Sequence, residues 1–202
     1  MTDRILNASE ELFGRLGFSK TTANDICRNA GVSKRTLYKY FESKLAILEN
    51  IIDGKIEYLN SQLKEVLALQ TDFPEKLRQI STCVAVTLSG LSSFFLEDIQ
   101  RNAPHVWEKI SGFRKEMVQN YFPMLLDEGI RHGHFKKELN KGVAVLLMMN
   151  AMEIIINPVM LRSLPGDLAT QVPVRPEELF DKVIEIIYDG IHKGDSLFPS
   201  NG

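Results

Sequence analysis

Cysteine is scarce in this chain. Cys27 and Cys83 are the two in 202 residues, and no CxxC pair occurs, so neither a disulfide framework nor a four-cysteine zinc site can be built. A long apolar run is missing too. The most hydrophobic stretch, Gly142 to Ile156, is interrupted by Asn150 and Glu153 and falls short of the roughly 20 apolar residues that a membrane-spanning helix needs. The opening MTDRILNASEELF mixes acids with its first apolar residues and lacks the apolar core of a secretory signal. A cytoplasmic protein without membrane attachment is expected. No P-loop, GxGxxG or GxSxG element occurs, which leaves no nucleotide, cofactor or nucleophile-elbow chemistry to place. His132 and His134 flank one glycine, but no third ligand follows, so no metal is expected.

Charge of one sign is also lacking. The net charge is −2, with 44% hydrophobic and 25% charged residues, a balance typical of a folded globular chain. Its local distribution carries more information. Between Arg28 and Lys44 stand five bases (Arg28, Lys34, Arg35, Lys39, Lys44) and one acid, Glu42, a basic segment suited to a polyanion.

No convincing series of alternating strand positions occurs, whereas apolar residues recur at three and four throughout, so an all-α protein is predicted. Ile5, Ala8, Leu12, Phe13 and Leu16 form the stripe of a first helix that stops at Gly17, with Phe18 packing back on it. Thr22 can cap a second helix running to Asn29 or Ala30. Gly31 supplies a turn, and Ser33 caps a short third helix that buries Leu37 and Phe41. Two short helices about a glycine turn, over residues 22–41, form a helix-turn-helix. Ser43 then caps a helix of about 25 residues. Pro74 opens another helix, Pro104 interrupts the next, and Trp107 to Ile130 reads as one long helix that Pro123 kinks or divides. Asn140 caps an apolar helix ending before Pro158, a connection spans Asn157 to Arg175, and Pro176 starts the final helix. Residues 1–45 are expected to form a three-helix head, and 46–202 a larger helical domain.

On the third helix, with Leu37 and Phe41 inward, Lys39 points almost directly out and Arg35 lies within about 40° of it, flanked by Thr36 and Tyr38. Such a helix fits the major groove, where Arg or Lys donates to guanine O6 and N7 and a threonine methyl meets thymine. Tyr38, Tyr40 and Lys44 are placed for flanking phosphates, and Thr22 for a phosphate at its helix N-terminus. With Ser33, the DNA-facing candidates are Thr22, Ser33, Lys34, Arg35, Thr36, Tyr38, Lys39, Tyr40 and Lys44. A plain solvated face is the competing reading of the same charges.

The run TTANDICRNAGVSKRTLYKYFESK, preceded by Ala8, Leu12, Phe13, Gly17 and Phe18, resembles the DNA-binding domain of TetR-type transcriptional regulators. The likeness covers about the first quarter of the chain. Cys27 and Asn29 stand where such proteins often carry alanine. The resemblance implies a homodimeric all-helical repressor, less often an activator, acting on a pseudo-palindromic duplex operator and responding to a small molecule in its C-terminal domain. It puts Thr22 on a phosphate, Lys34, Arg35, Thr36 and Lys39 in or beside the major groove, and Tyr38, Tyr40 and Lys44 on the backbone.

The same resemblance implies a dimer made by the last two long helices, for which Val145, Met149, Glu153, Phe180, Ile184, Ile187, Tyr188 and Ile191 are candidates. Between the middle helices, Phe94, Phe95, Trp107, Phe113, Met117, Tyr121, Met148 and Met152 are candidate walls of an apolar pocket for a hydrophobic or aromatic effector. Core packing is the alternative for each. Two functions are expected to compete: an effector-gated repressor, and a DNA-binding dimer whose C-terminal domain recruits a protein. An enzyme is not expected. The DGIH and GDSL runs near Ser196 resemble an esterase block, but they follow a helix near the chain's end, whereas that nucleophile follows a strand near the start of an α/β domain.

Overall fold

Apolar residues at helical spacing bury Ile5, Ala8, Leu12 and Phe13 along α1 (Thr2–Leu16). The computed structural model describes residues 1–89, 91–156, 163–173 and 176–189, and among them it shows helices and turns without a strand. Gly17 ends α1 with φ +89°, a conformation an L side chain resists. Phe18 then turns back to place its ring edge-on to Phe13 at 5.5 Å. Thr22 caps α2 (Ala23–Ala30) through a reciprocal capping box with Asp25, a device that closes two otherwise unpaired amides.

Gly31 adopts the left-handed conformation, φ +59°. Arg4 of α1 braces that turn by donating to Ala30 O at 2.6 Å and Gly31 O at 2.7 Å. Ser33 caps α3 (Lys34–Tyr40) by accepting from the Thr36 amide at 3.0 Å, and Ser43 does the same for Ala46 at the start of α4 (Lys44–Ala68). At 1.5 Å per residue, α4 is about 37 Å long.

That length lets α4 serve two cores. Its first half, with Ile47, Leu48, Ile51 and Ile52, packs with α1 to α3 and with Leu91, Phe95, Leu96, Ile99, Ala103 and Val106. Those partners lie on and around α6 (Ser93–Asn102) and α7 (Pro104–Glu116). Its second half, with Leu59, Leu63 and Val66, packs against α5 (Phe73–Ser89) and against Met117, Tyr121, Phe122, Leu125 and Met148.

The segment around Pro123 runs on without a break. A π turn, Met117–Tyr121, joins α7 to α8 (Phe122–Arg131). Pro123 has no amide to give the carbonyl four residues back and its ring would crowd it, so the widened turn falls where a regular helix would clash. After α8, His134 stacks on Phe73 with centroids 5.1 Å apart. Among the described residues no group of His, Cys, Asp or Glu could hold a metal.

Asn140 caps α9 (Lys141–Ile156) by accepting from the Val143 amide. A single turn, α10 (Gly166–Ala169), interrupts the following connection. Pro176 opens α11 (Pro176–Asp189), which packs on α5 and α9. Ile191 and Ser196 lie outside the described residues, as do the side chains of Met152, Glu153, Phe180, Ile184, Ile187 and Tyr188. No helix among the described residues is long and apolar enough to cross a membrane.

Candidate nucleic-acid interface

The exposed side of α3 is set by what its other side buries. Leu37 is 1% and Phe41 5% exposed, and with those anchors fixed, Lys34, Arg35, Lys39, Tyr38 and Tyr40 face solvent while Thr36 sits at the edge. Many bases elsewhere are matched to acids, among them Lys76 with Glu128 at 2.6 Å, Lys109 with Asp53 at 2.7 Å and Arg78 with Glu75 at 2.7 Å. Lys34, Arg35 and Lys39 have no such partner among the described residues.

Ser33 is drawn into the cap, its hydroxyl 2.9 Å from that of Thr36. Thr22 is likewise committed: its hydroxyl donates to Asp25 Oδ2 at 2.5 Å and accepts from the Asp25 amide at 3.2 Å. The hydroxyl's bond to Oδ2, with a second from the Thr22 amide at 3.1 Å, holds the Asp25 carboxyl below its ordinary pKa. Both residues stay exposed, so capping leaves their surfaces open.

Lys44 has a different position from the one its spacing suggested. Its ammonium donates to Phe18 O at 2.6 Å, Thr21 O at 2.8 Å and Ser19 O at 3.3 Å, and lies 4.3 Å from the centroid of the Phe18 ring. Burial pushes its pKa down, against the pull of the Asp98 carboxylate. In the free protein this cation closes the turn after α1 and does not project to solvent. Nothing near Lys44 along the chain points to these carbonyls, because they belong to a turn more than twenty residues away.

An apolar cavity of about 90 Å³ lies below the head, between α4, α6, α7, the π turn and α9. Ile52, Ile56, Leu59, Leu91, Leu96, Ile110, Phe113, Met117, Val118, Phe122 and Met149 supply its hydrocarbon wall, and Thr87, Lys55 and Arg114 also line it. Of the expected wall residues, Phe113 and Met117 line it.

Phe94, Phe95, Trp107, Tyr121 and Met148 lie elsewhere, and the Met152 side chain falls outside the described residues. Phe95 is fully buried in the first core, stacked on Phe13 at 6.2 Å. Phe94 is 49% exposed beside Gly17, and Trp107 packs on the first core. Tyr121 and Met148 belong to the second core, where the Tyr121 hydroxyl donates to Asn60 Oδ1 at 3.1 Å. Helical spacing identifies a buried face but not the helix it meets. Met149, expected at a subunit seam, lines the cavity and is 38% exposed, while Val145 packs partly buried on the second core. Lys55 was overlooked, although it interrupts the inward stripe Ile52, Ile56, Leu59; a lysine inside an apolar stripe is the signal that could have found it.

Residues 5–51, which cover most of α1, the helix-turn-helix and the start of α4, match the model of bacterial regulatory proteins of the tetR family. The chain is a TetR-type transcriptional regulator. The fatty acid metabolism regulator protein of Bacillus subtilis is 22% identical to this TetR-type chain over 192 residues, 94% of each. Among solved structures, the TetR family transcriptional regulator PfmR from Thermus thermophilus superimposes with a TM-score of 0.71 at 25% identity, over 95% of this chain and 100% of that one. The regulator FadR from Bacillus subtilis, solved in complex with stearoyl-CoA, gives a TM-score of 0.67 at 20% identity, over 95% and 100%.

Proposed function

We propose that this TetR-type regulator is a homodimeric repressor. Residues 1–45 read a pseudo-palindromic operator, and residues 46–202 dimerise and bind a hydrophobic effector that releases the DNA. The observation that carries the reading is the line of Arg35 and Lys39 on the exposed side of α3, free of acid partners and backed by the buried Leu37 and Phe41. Arg35 and Lys39 reach base edges, Lys34 and Thr36 the groove wall, and Thr22, Ser33, Tyr38 and Tyr40 the phosphates.

The exposed side of α9 supports the dimer. Val143, Leu146 and Leu147 are 51%, 58% and 53% exposed, a contiguous apolar strip that a second copy would cover. The cavity supports the effector. At about 90 Å³ it is smaller than the roughly 300 Å³ at which ligand pockets begin, so filling it requires α4 and α7 to part. Because α4 starts at the turn that holds α3, a shift of α4 alters the distance between two recognition helices. Half-sites must match a repeat of about 34–36 Å, so a small pivot weakens binding. The wall of hydrocarbon with two bases suits a fatty acyl chain carrying an anionic group, and the stearoyl-CoA bound by the similar FadR makes acyl-CoA the first effector to test.

The experiment is a selection of random duplex DNA on the purified protein at two salt concentrations, followed by release of the recovered duplex with stearoyl-CoA. An enriched inverted repeat, lost on adding stearoyl-CoA, is the expected result. Unordered sequences with a steep salt dependence would overturn sequence-specific reading.

A further inference from the structure

Lys55 belongs to two structures at once. It lines the cavity, and its ammonium is paired with Glu10 Oε1 of α1 at 2.7 Å, the two side chains being 20% and 35% exposed. The pair is therefore partly withdrawn from water and less screened than a surface contact. The helix it ties down is the one that holds the head together. α1 packs on α2, α4 and α6, and its Arg4 braces the Gly31 turn that positions α3.

We propose that Lys55 is a charge switch between cavity and head: the anionic group of an amphiphilic ligand takes the ammonium from Glu10 and releases this tie between α1 and α4. The inference rests on the reading that the cavity admits an effector, and it adds the residue that senses the effector's charge and passes its presence on. A lysine suits the task because its ammonium sits on a flexible four-carbon stem and can turn between two acceptors. Glu10 and the ligand compete for one cation, so each disfavours the other. By linkage, the ligand weakens the Glu10 contact by the same factor as that contact weakens the ligand. A neutral ligand of equal length would fill the same wall and leave the pair intact.

The test uses the full chain, with dodecanoate and dodecanol as probes and the fluorescence of Trp107, the one tryptophan, as the signal. Dodecanoate is expected to bind wild type more tightly than dodecanol. Lys55→Met should weaken dodecanoate by about fivefold or more, the low end of ordinary coupling between sites, with dodecanol unchanged. Glu10→Gln should tighten dodecanoate by a similar factor. On a duplex selected by the wild type, dodecanoate should displace wild-type protein but have a smaller effect on Glu10→Gln. If both probes bind and neither substitution separates them, the cavity reading stands and the switch is overturned. If neither probe binds wild type, both fall. Should thermal melting show that Lys55→Met is unfolded, Glu10→Gln decides alone, and unchanged dodecanoate affinity in it overturns the proposal.

Discussion

The Asp98 carboxylate of α6 accepts a 2.8 Å hydrogen bond from the Ser19 amide, so the turn that closes α1 is held from the far side of the first core. Asn102 steadies the same carboxylate from one helical turn on, donating to Oδ1 at 2.6 Å. Desolvation raises the Asp98 pKa, but hydrogen bonds from Ser19, Asn102 and the Phe18 backbone outweigh it and leave the carboxyl below its ordinary value. A carboxyl depressed on folding adds stability that is complete above its unfolded pKa and is lost as pH falls through the folded one. Urea stability is therefore expected to drop below about pH 4, the ordinary aspartate range, and Asp98→Asn to flatten that drop. Equal acid sensitivity in wild type and Asp98→Asn would remove Asp98 from the account.

Gly17 is required by the same contact. Its φ of +89° disfavours any side chain, and a Cβ there would lie 2.6 Å from Asp98 Oδ2 and 3.1 Å from Phe94 Cε1. The carboxylate could retreat only by giving up Ser19. Gly17→Ala should cost about 1–3 kcal/mol, the usual span for a substitution that strains a special backbone position, read by thermal or urea unfolding. A cost within about 0.5 kcal/mol, that of an ordinary surface change, would show that Asp98 moves freely.

Arg35 and Lys44 are expected to separate reading from holding. Arg35→Ala should cost about 1–3 kcal/mol on the selected duplex, with little change on random DNA, if its guanidinium meets a base. Equal losses on both duplexes would make it a phosphate contact. Lys44→Ala should leave the salt slope of DNA binding in place and lower folding stability by about 1–3 kcal/mol, because it strips the cation from three carbonyls. A flattened slope with unchanged stability would return Lys44 to the DNA backbone.

What could be read along the chain was whatever depends on near neighbours. The caps at Thr22, Ser33, Ser43 and Asn140 each need one side-chain oxygen and an amide three residues on, and all four occur. Gly17 and Gly31 were legible because a positive φ is a local demand. The cavity was not, because it depends on which helices meet. Phe95 sits on a good inward face, yet that face meets Phe13 of the head, while Ile52, Ile56 and Leu59 of α4, read only as core, form the wall. The place of the Lys44 ammonium was illegible for the same reason: the carbonyls that take it come from a turn whose position is set by tertiary packing.

The apolar strip on α9 leads to the last expectation. Leu146 and Leu147 together expose more of their side chains than core helices tolerate without a partner, at 58% and 53%, and α9 already gives Ala144 and Met148 to its own core. Burying a leucine stabilises by about 1.5–3 kcal/mol, and a two-fold seam buries each strip residue twice. Leu147→Arg should therefore convert a dimer to a monomer at micromolar concentration, seen by sedimentation, with the helical signal retained because the substituted position faces outward. Binding to an inverted repeat should fall much further than binding to a single half-site, since only the repeat needs two heads on one body. If Leu147→Arg remains dimeric, the seam lies elsewhere, and the strip is left to a partner of another kind.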